Sequence, residues 1–159
     1  MKPKPKDITF HYTNEQMVKD LIALIPFDKN DDAIDAGSGK NKVWQKNCPV
    51  YCEESEIEDN NDFLLCIKKY DWVIGNPPYN QSWKFTEQAI NLARKGIAWL
   101  VNNQALNSHF TPRRLQIMKD KGFEIQHIKV VSDKRWFGRY YFLIFEKKPG
   151  FVSWERKTY

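Results

Sequence analysis

Apolar positions along this chain recur at two spacings, and each change of spacing marks a change of element. Met17, Val18, Leu21, Ile22, Leu24 and Ile25 follow a helical period, with Thr13 or Asn14 as the cap and Pro26 as the stop. Residues 32–35 form a short strand that runs into Ala36-Gly37-Ser38-Gly39-Lys40, and residues 49–52 form the next strand. Residues 60–63 open a helix over 64–69. It feeds the run Asp71-Trp72-Val73-Ile74-Gly75, whose β-branched and aromatic core reads as a buried strand of a parallel sheet. Residues 84–95 are amphipathic, with Phe85, Ala89, Leu92 and Ala93 inward, and a strand follows over 96–101. Thr111-Pro112 starts a further helix, which Gly122 ends near Lys121. Residues 125–131 and 139–145 are two more strands, and their short connection makes them antiparallel.

The 159 residues fit one catalytic domain over 10–148, with a Lys/Pro-rich basic arm at 1–9 and a tail at 149–159. No apolar run approaches the roughly 18 residues that span a bilayer, and no charged-then-apolar leader precedes the first helix. Cys48, Cys52 and Cys66 have no metal-like spacing, and an extended strand would hold the first two too far apart to bridge. A reduced cytoplasmic setting is expected. Charge sharpens the picture. Residues 1–83 carry 10 Lys+Arg and 14 Asp+Glu, a net of −4, and residues 84–159 carry 15 and 6, a net of +9. Such a basic half suits a polyanion, because neutralised phosphates release counterions.

The candidate chemistry sits at Asn76-Pro77-Pro78-Tyr79, directly after the buried strand. Two prolines fix φ and remove two backbone donors, which holds Asn76 and Pro77 extended with free carbonyls. The loop then offers the Asn76 amide oxygen and the Pro77 carbonyl as acceptors, with the Tyr79 ring alongside. This suits a planar group bearing an NH2. Gripping both N–H bonds favours a pyramidal nitrogen and turns its lone pair toward an electrophile held in line. Upstream, Gly37 and Gly39 let the backbone turn tightly beside a ligand, and Asp35 favours a cationic or hydroxylated one. Glu53, after the second strand, is placed to hold ribose hydroxyls. Glu54, Glu56, Glu58 and Asp59 read as a solvated acidic turn, and Asp62 serves equally as a helix cap.

Taken in order, these pieces resemble the S-adenosylmethionine-dependent N6-adenine DNA methyltransferases, over roughly residues 10–146. The resemblance implies a Rossmann-like, doubly wound α/β sheet of about seven strands, the last antiparallel, and S-adenosylmethionine as cofactor. It places Asp35, Gly37 and Gly39 around the cofactor's methionine part and Glu53 on the ribose. Asp62 falls on the adenine amine, Phe63 against that ring, and Tyr12 and Thr13 along the pocket wall. Asn76, Pro77, Pro78 and Tyr79 match the catalytic loop. Two departures stand out. Asn41 stands where a third glycine often sits, and Asp62 follows Glu53 by only nine positions, so that crossover must be cut down. No separate target-recognition domain is evident, so loops at the catalytic edge must read the substrate: 80–84, 102–114 with Arg113 and Arg114, and 132–139 with Lys134, Arg135 and Trp136. Trp136 and Phe137 fit a hairpin core equally well. A homodimer on a palindromic site is one way to lengthen the target. The alternatives are N4-cytosine or ribosomal-RNA amine methylation, and a catalytically silent nucleic-acid-binding subunit. The basic half argues against a protein-glutamine substrate.

Overall fold

The computed structural model describes residues 13–134, 138–155 and 157. Six strands form one sheet: β1 (Asp32–Ala36), β2 (Tyr51–Ser55), β3 (Tyr70–Gly75), β4 (Ala93–Asn102), β5 (Glu124–Val131) and β6 (Tyr140–Glu146). Their spatial order is β2-β1-β3-β4-β6-β5, with β2, β1, β3 and β4 parallel and β6 antiparallel to both neighbours. This is the expected doubly wound arrangement with an antiparallel last strand, and its six strands among the described residues are close to the seven expected. Two short 3-10 turns, Ile57–Asp59 and Phe63–Leu65, replace the helix expected over 64–69 and leave no length for another strand.

Helices cover both faces. On one, α1 (Glu15–Ile22) and α2 (Val43–Asn47) enclose a core that includes Val18, Leu21, Trp44, Trp72 and Phe142. Asn14, not Thr13, caps α1, its side chain accepting from the Met17 N–H at 3.1 Å. On the other, α3 (Ser82–Leu92), α4 (Asn103–His109) and α5 (Pro112–Asp120) cover Phe85, Ala89, Trp99, Met118 and Phe145. α4 falls inside the stretch expected to be a loop over 102–114. Asn102 starts it by capping Ala105 N at 2.9 Å, a signal readable as a helix start in NQALNSH. Its last turn is pinned by buried His109, whose Nδ1 lies 2.6 Å from the Ala105 carbonyl and whose Nε2 lies 2.6 Å from Thr86 Oγ1.

At the opposite edge from the strand C-termini, Asp32 and Asp71 each accept the other's backbone N–H, at 3.2 and 2.7 Å, and Arg94 bridges both carboxylates. The segment after β6 packs back on β5. Gln126 Nε2 donates to the Lys148 and Pro149 carbonyls, and Lys119 sits over the Trp154 ring. Cys48 ends α2 instead of extending the strand, so its thiol lies beside that of Cys52, unbridged.

Where β3 and β4 run side by side, Gly96 lies against the Trp72 ring: an added Cβ would fall 2.2 Å from it and 2.8 Å from the Phe145 carbonyl. Trp72 is itself held by its indole N–H on Asp31 Oδ2 at 3.0 Å, so it cannot yield cheaply. Gly96→Ala is therefore expected to cost at least ~1–3 kcal/mol, typical of overpacking. Thermal unfolding should show a drop of several degrees, and an unchanged Tm would contradict this packing.

Candidate active site

Parallel strands β1 and β3 are neighbours, with Asp35 level with Ile74, so the turns that follow them open side by side. After β1, Gly37 (φ 69°) and Gly39 (φ 65°) adopt left-handed backbone that residues with a Cβ rarely take. Ser55, ending β2, ties this turn down: its Oγ accepts from Gly37 N at 3.2 Å and its carbonyl from Ser38 N at 2.8 Å. Glu56 Oε2 accepts from Gly39 N at 2.6 Å. After β3, Gly75 (φ 136°) swings the chain into Asn76-Pro77-Pro78, and Tyr79 begins a 3-10 turn over Tyr79–Gln81.

These turns enclose a cleft of about 470 Å³, within the usual size for a small ligand. Thr13, Gly37, Gly39, Asp62, Phe63, Asn76, Pro77, Pro78 and Tyr79 all line it. Asp62 does two jobs: it borders the cleft and caps its 3-10 turn, accepting from Leu64 N at 2.9 Å. Phe63 stacks on Phe85 with centroids 5.1 Å apart, which makes a flat apolar wall. Asn76 Nδ2 faces Thr13 Oγ1 at 3.4 Å. Its Oδ1 is buried without a hydrogen-bond partner among the described residues, as is the Tyr79 hydroxyl. Burial is the main cause that raises the Tyr79 phenol above its ordinary pKa. The Tyr79 ring sits 6.4 Å from that of Tyr140, at the start of β6.

Two expectations about acidic residues change. Glu53 does not reach the cleft. The strand begins at Tyr51, so Glu53 lies within it, held by Lys68 and the Tyr70 hydroxyl, and those hydrogen bonds lower its pKa. The first acid beyond the strand is Glu56, which does line the cleft. Pro49 is the clue that was available, because it has no N–H for a ladder, and ending the strand at Ser55 exposes Glu56. Asp35 is fully buried beneath the glycine turn rather than in the cleft. Its Oδ2 accepts from Gln45 N of α2 at 3.1 Å, and Oδ1 has no partner among the described residues. It ties the end of β1 to α2.

The expected nucleic-acid contacts divide. Arg113 and Lys134 are exposed near the catalytic edge, whereas Arg114 is committed to the protein. Its guanidinium lies 4.7 Å from the Trp83 ring centroid and donates to the Ser108 carbonyl at 2.7 Å. Tyr12, Arg135 and Trp136 lie outside the described residues. Sequence reading also passed over Trp44, which lines the cleft with its indole N–H buried and unpartnered among the described residues.

A doubly wound sheet whose glycine turn and Asn-Pro-Pro-Tyr loop share one cleft is a methyltransferase architecture. Residues 6–144 match the Eco57I restriction-modification methylase family, and the chain belongs to it. No curated protein sequence matches the chain. Solved structures of similar fold include a putative RNA methyltransferase from Pyrococcus horikoshii, with 15% identity and TM-score 0.64 over 92% of this chain and 89% of that one. The 23S rRNA methyltransferase ErmE shares 11% identity at TM-score 0.63, over 87% and 70%. Magnesium protoporphyrin IX methyltransferase from Synechocystis PCC 6803, with bound SAM, shares 18% at TM-score 0.55, over 84% and 79%. At these identities the likeness is one of fold.

Burial pushes the Asp35 carboxyl up to about 8, from the usual 3.8. A folded-state pKa above the unfolded one stabilises fully at low pH, and that stability is lost as pH rises from about 4 through 8. Asp35→Asn keeps the shape without the charge. Its Tm relative to wild type should therefore climb between pH 6 and pH 9, and a pH-independent difference would show that Asp35 is ionised in the fold.

Proposed function

We propose that this methylase transfers a methyl group from S-adenosylmethionine to the exocyclic N6 amine of adenine in DNA. The observation that carries this reading is the Asn76 Oδ1, buried at the cleft without a hydrogen-bond partner among the described residues, with Pro77 lining the same cleft. A buried polar atom left unpaired is costly, so its natural complement is a ligand's N–H. The family's restriction-modification character favours DNA over RNA.

The cofactor is S-adenosylmethionine, and the cleft suits it. Gly37 and Gly39 allow close backbone approach, Glu56 offers a carboxylate to ribose hydroxyls, and Asp62 offers one to an adenine amine. Phe63 and Phe85 supply an apolar face for the ring. When bound, the cofactor provides an electrophilic methyl and leaves as a thioether. The chain's own residues do the rest. Asn76 Oδ1 and the Pro77 carbonyl hold the two N–H bonds of the target amine, which turns its lone pair toward the methyl group. The Tyr79 ring offers a stacking face to an extruded base, a contact worth ~1–3 kcal/mol. As the N–C bond forms, the positive charge on the amine strengthens both hydrogen bonds, and the surplus proton leaves to solvent.

Arg113, Lys134 and Arg139 are exposed around the catalytic edge and suit a phosphate backbone. Lys119, Lys121, Lys147 and Lys148 lie at the far edge, where β5 begins and β6 ends, and do not belong to that surface.

Four measurements test this reading. Purified protein, labelled cofactor and separate DNA and RNA pools should yield N6-methyladenine in DNA. N4-methylcytosine, or label only in RNA, would overturn the substrate assignment. Asn76→Ala should slow transfer by ~10²-fold or more with cofactor affinity retained. Glu56→Ala should weaken cofactor binding ~10-fold or more by calorimetry, whereas Glu53→Ala should not, and the reverse pattern would return the ribose to Glu53. Finally, Arg113→Ala with Lys134→Ala should reduce the salt slope of DNA binding by about 2, and Lys147→Ala with Lys148→Ala should leave it unchanged.

A further inference from the structure

The Asn76 side chain carries a donor end and an acceptor end of nearly identical shape, and only one orientation suits an incoming amine. With Oδ1 toward the amine, the amide accepts an N–H. Flipped, its own NH2 would oppose another NH2, and the site would repel its substrate. On the donor side, Thr13 Oγ1 lies 3.4 Å from Nδ2. Oδ1 meets no protein donor among the described residues.

Thr13 is well placed to act as a fixed post. It immediately precedes Asn14, the cap that locks the first turn of α1, and Val18, Leu21 and Ile22 anchor that helix in the core. The 63-residue separation from Asn76 means that only the fold brings the two together.

We propose that Thr13 is a positioning residue, its hydroxyl holding the Asn76 amide with Oδ1 toward the target amine. This rests on the amine-methylation reading above and differs from the cofactor-wall role that the resemblance assigns to Thr13. The contact is long in the free protein, as hydrogen bonds of catalytic groups often are before the substrate complex forms. Thr13→Val removes the hydroxyl and keeps the shape. Thr13→Ser keeps the hydroxyl and loses a methyl group.

The experiment compares wild type, Thr13→Val and Thr13→Ser in three measurements: single-turnover rate at saturating cofactor, affinity for the demethylated cofactor by calorimetry, and the side-chain NH2 resonances of Asn76 in 15N-labelled protein. Thr13→Val is expected to slow transfer by about tenfold, the rate equivalent of one hydrogen bond, with cofactor-product affinity within about twofold of wild type. Thr13→Ser should restore the rate, and the Asn76 NH2 resonances should shift in the valine variant only. Weakened cofactor affinity with an unchanged saturating rate would make Thr13 a cofactor contact and overturn the proposal. A wild-type rate in Thr13→Val, or equal loss in both variants with a falling Tm, would overturn it too. Should wild type methylate no base at all, the substrate reading fails. The Asn76 resonances then decide this proposal alone, and unchanged resonances in Thr13→Val would end it.

Discussion

The catalytic edge depends on one close approach, that of Gly75 to the end of β1. A Cβ at Gly75 would fall 2.9 Å from Asp35 Oδ1 and 3.1 Å from the Ala36 carbonyl, so the two turns lie together only because that atom is missing. The backbone at Gly75, with φ 136°, is also one that other residues rarely adopt. Asp35 completes the joint from the other side by accepting from Gln45 N, which sets α2 beneath the glycine turn. A buried carboxyl with one unpartnered oxygen is costly, and it stays neutral because desolvation raises its pKa. Strand register, glycine turn and Asn-Pro-Pro-Tyr loop are thus one coupled unit.

The shortened crossover after β2 reshapes the rest of the cleft. Without another strand beyond it, β2 is the sheet edge, and the 3-10 turns bring Glu56 and Asp62 to the same cleft from only six positions apart. Tyr51, Leu65 and Ile67 lie exposed along this edge.

Charge illustrates how sequence position and spatial position part company. The basic half of the chain reads as one polyanion-binding surface, yet antiparallel β6 and returning α5 carry Lys119, Lys121, Lys147 and Lys148 to the edge away from the cleft. Arg114 is spent internally on Trp83 and Ser108, joining α5 to α3 and α4. What remains at the catalytic edge is smaller, and Arg113, Lys134 and Arg139 lie exposed there.

The strands in chain order, the parallel centre, the antiparallel last pair and the Asn-Pro-Pro-Tyr loop were legible in the chain, because each rests on local chemistry: periodicity, proline stops, and glycines that permit a turn. Glu53 was read as lying beyond the strand, where Glu56 stands instead, because strand ends depend on where ladder partners stop, and β1 supplies them only as far as Ala36, opposite Ser55. The helix Asn103–His109 was missed because its seven residues carry little apolar period. Contacts through buried His109 to Thr86 stabilise it instead. The seating of Thr13 against Asn76 lies beyond any local pattern. It exists because α1 docks on the far face of the sheet through Val18, Leu21 and Ile22, and burial of that apolar stripe, not sequence proximity, delivers the hydroxyl to the amide.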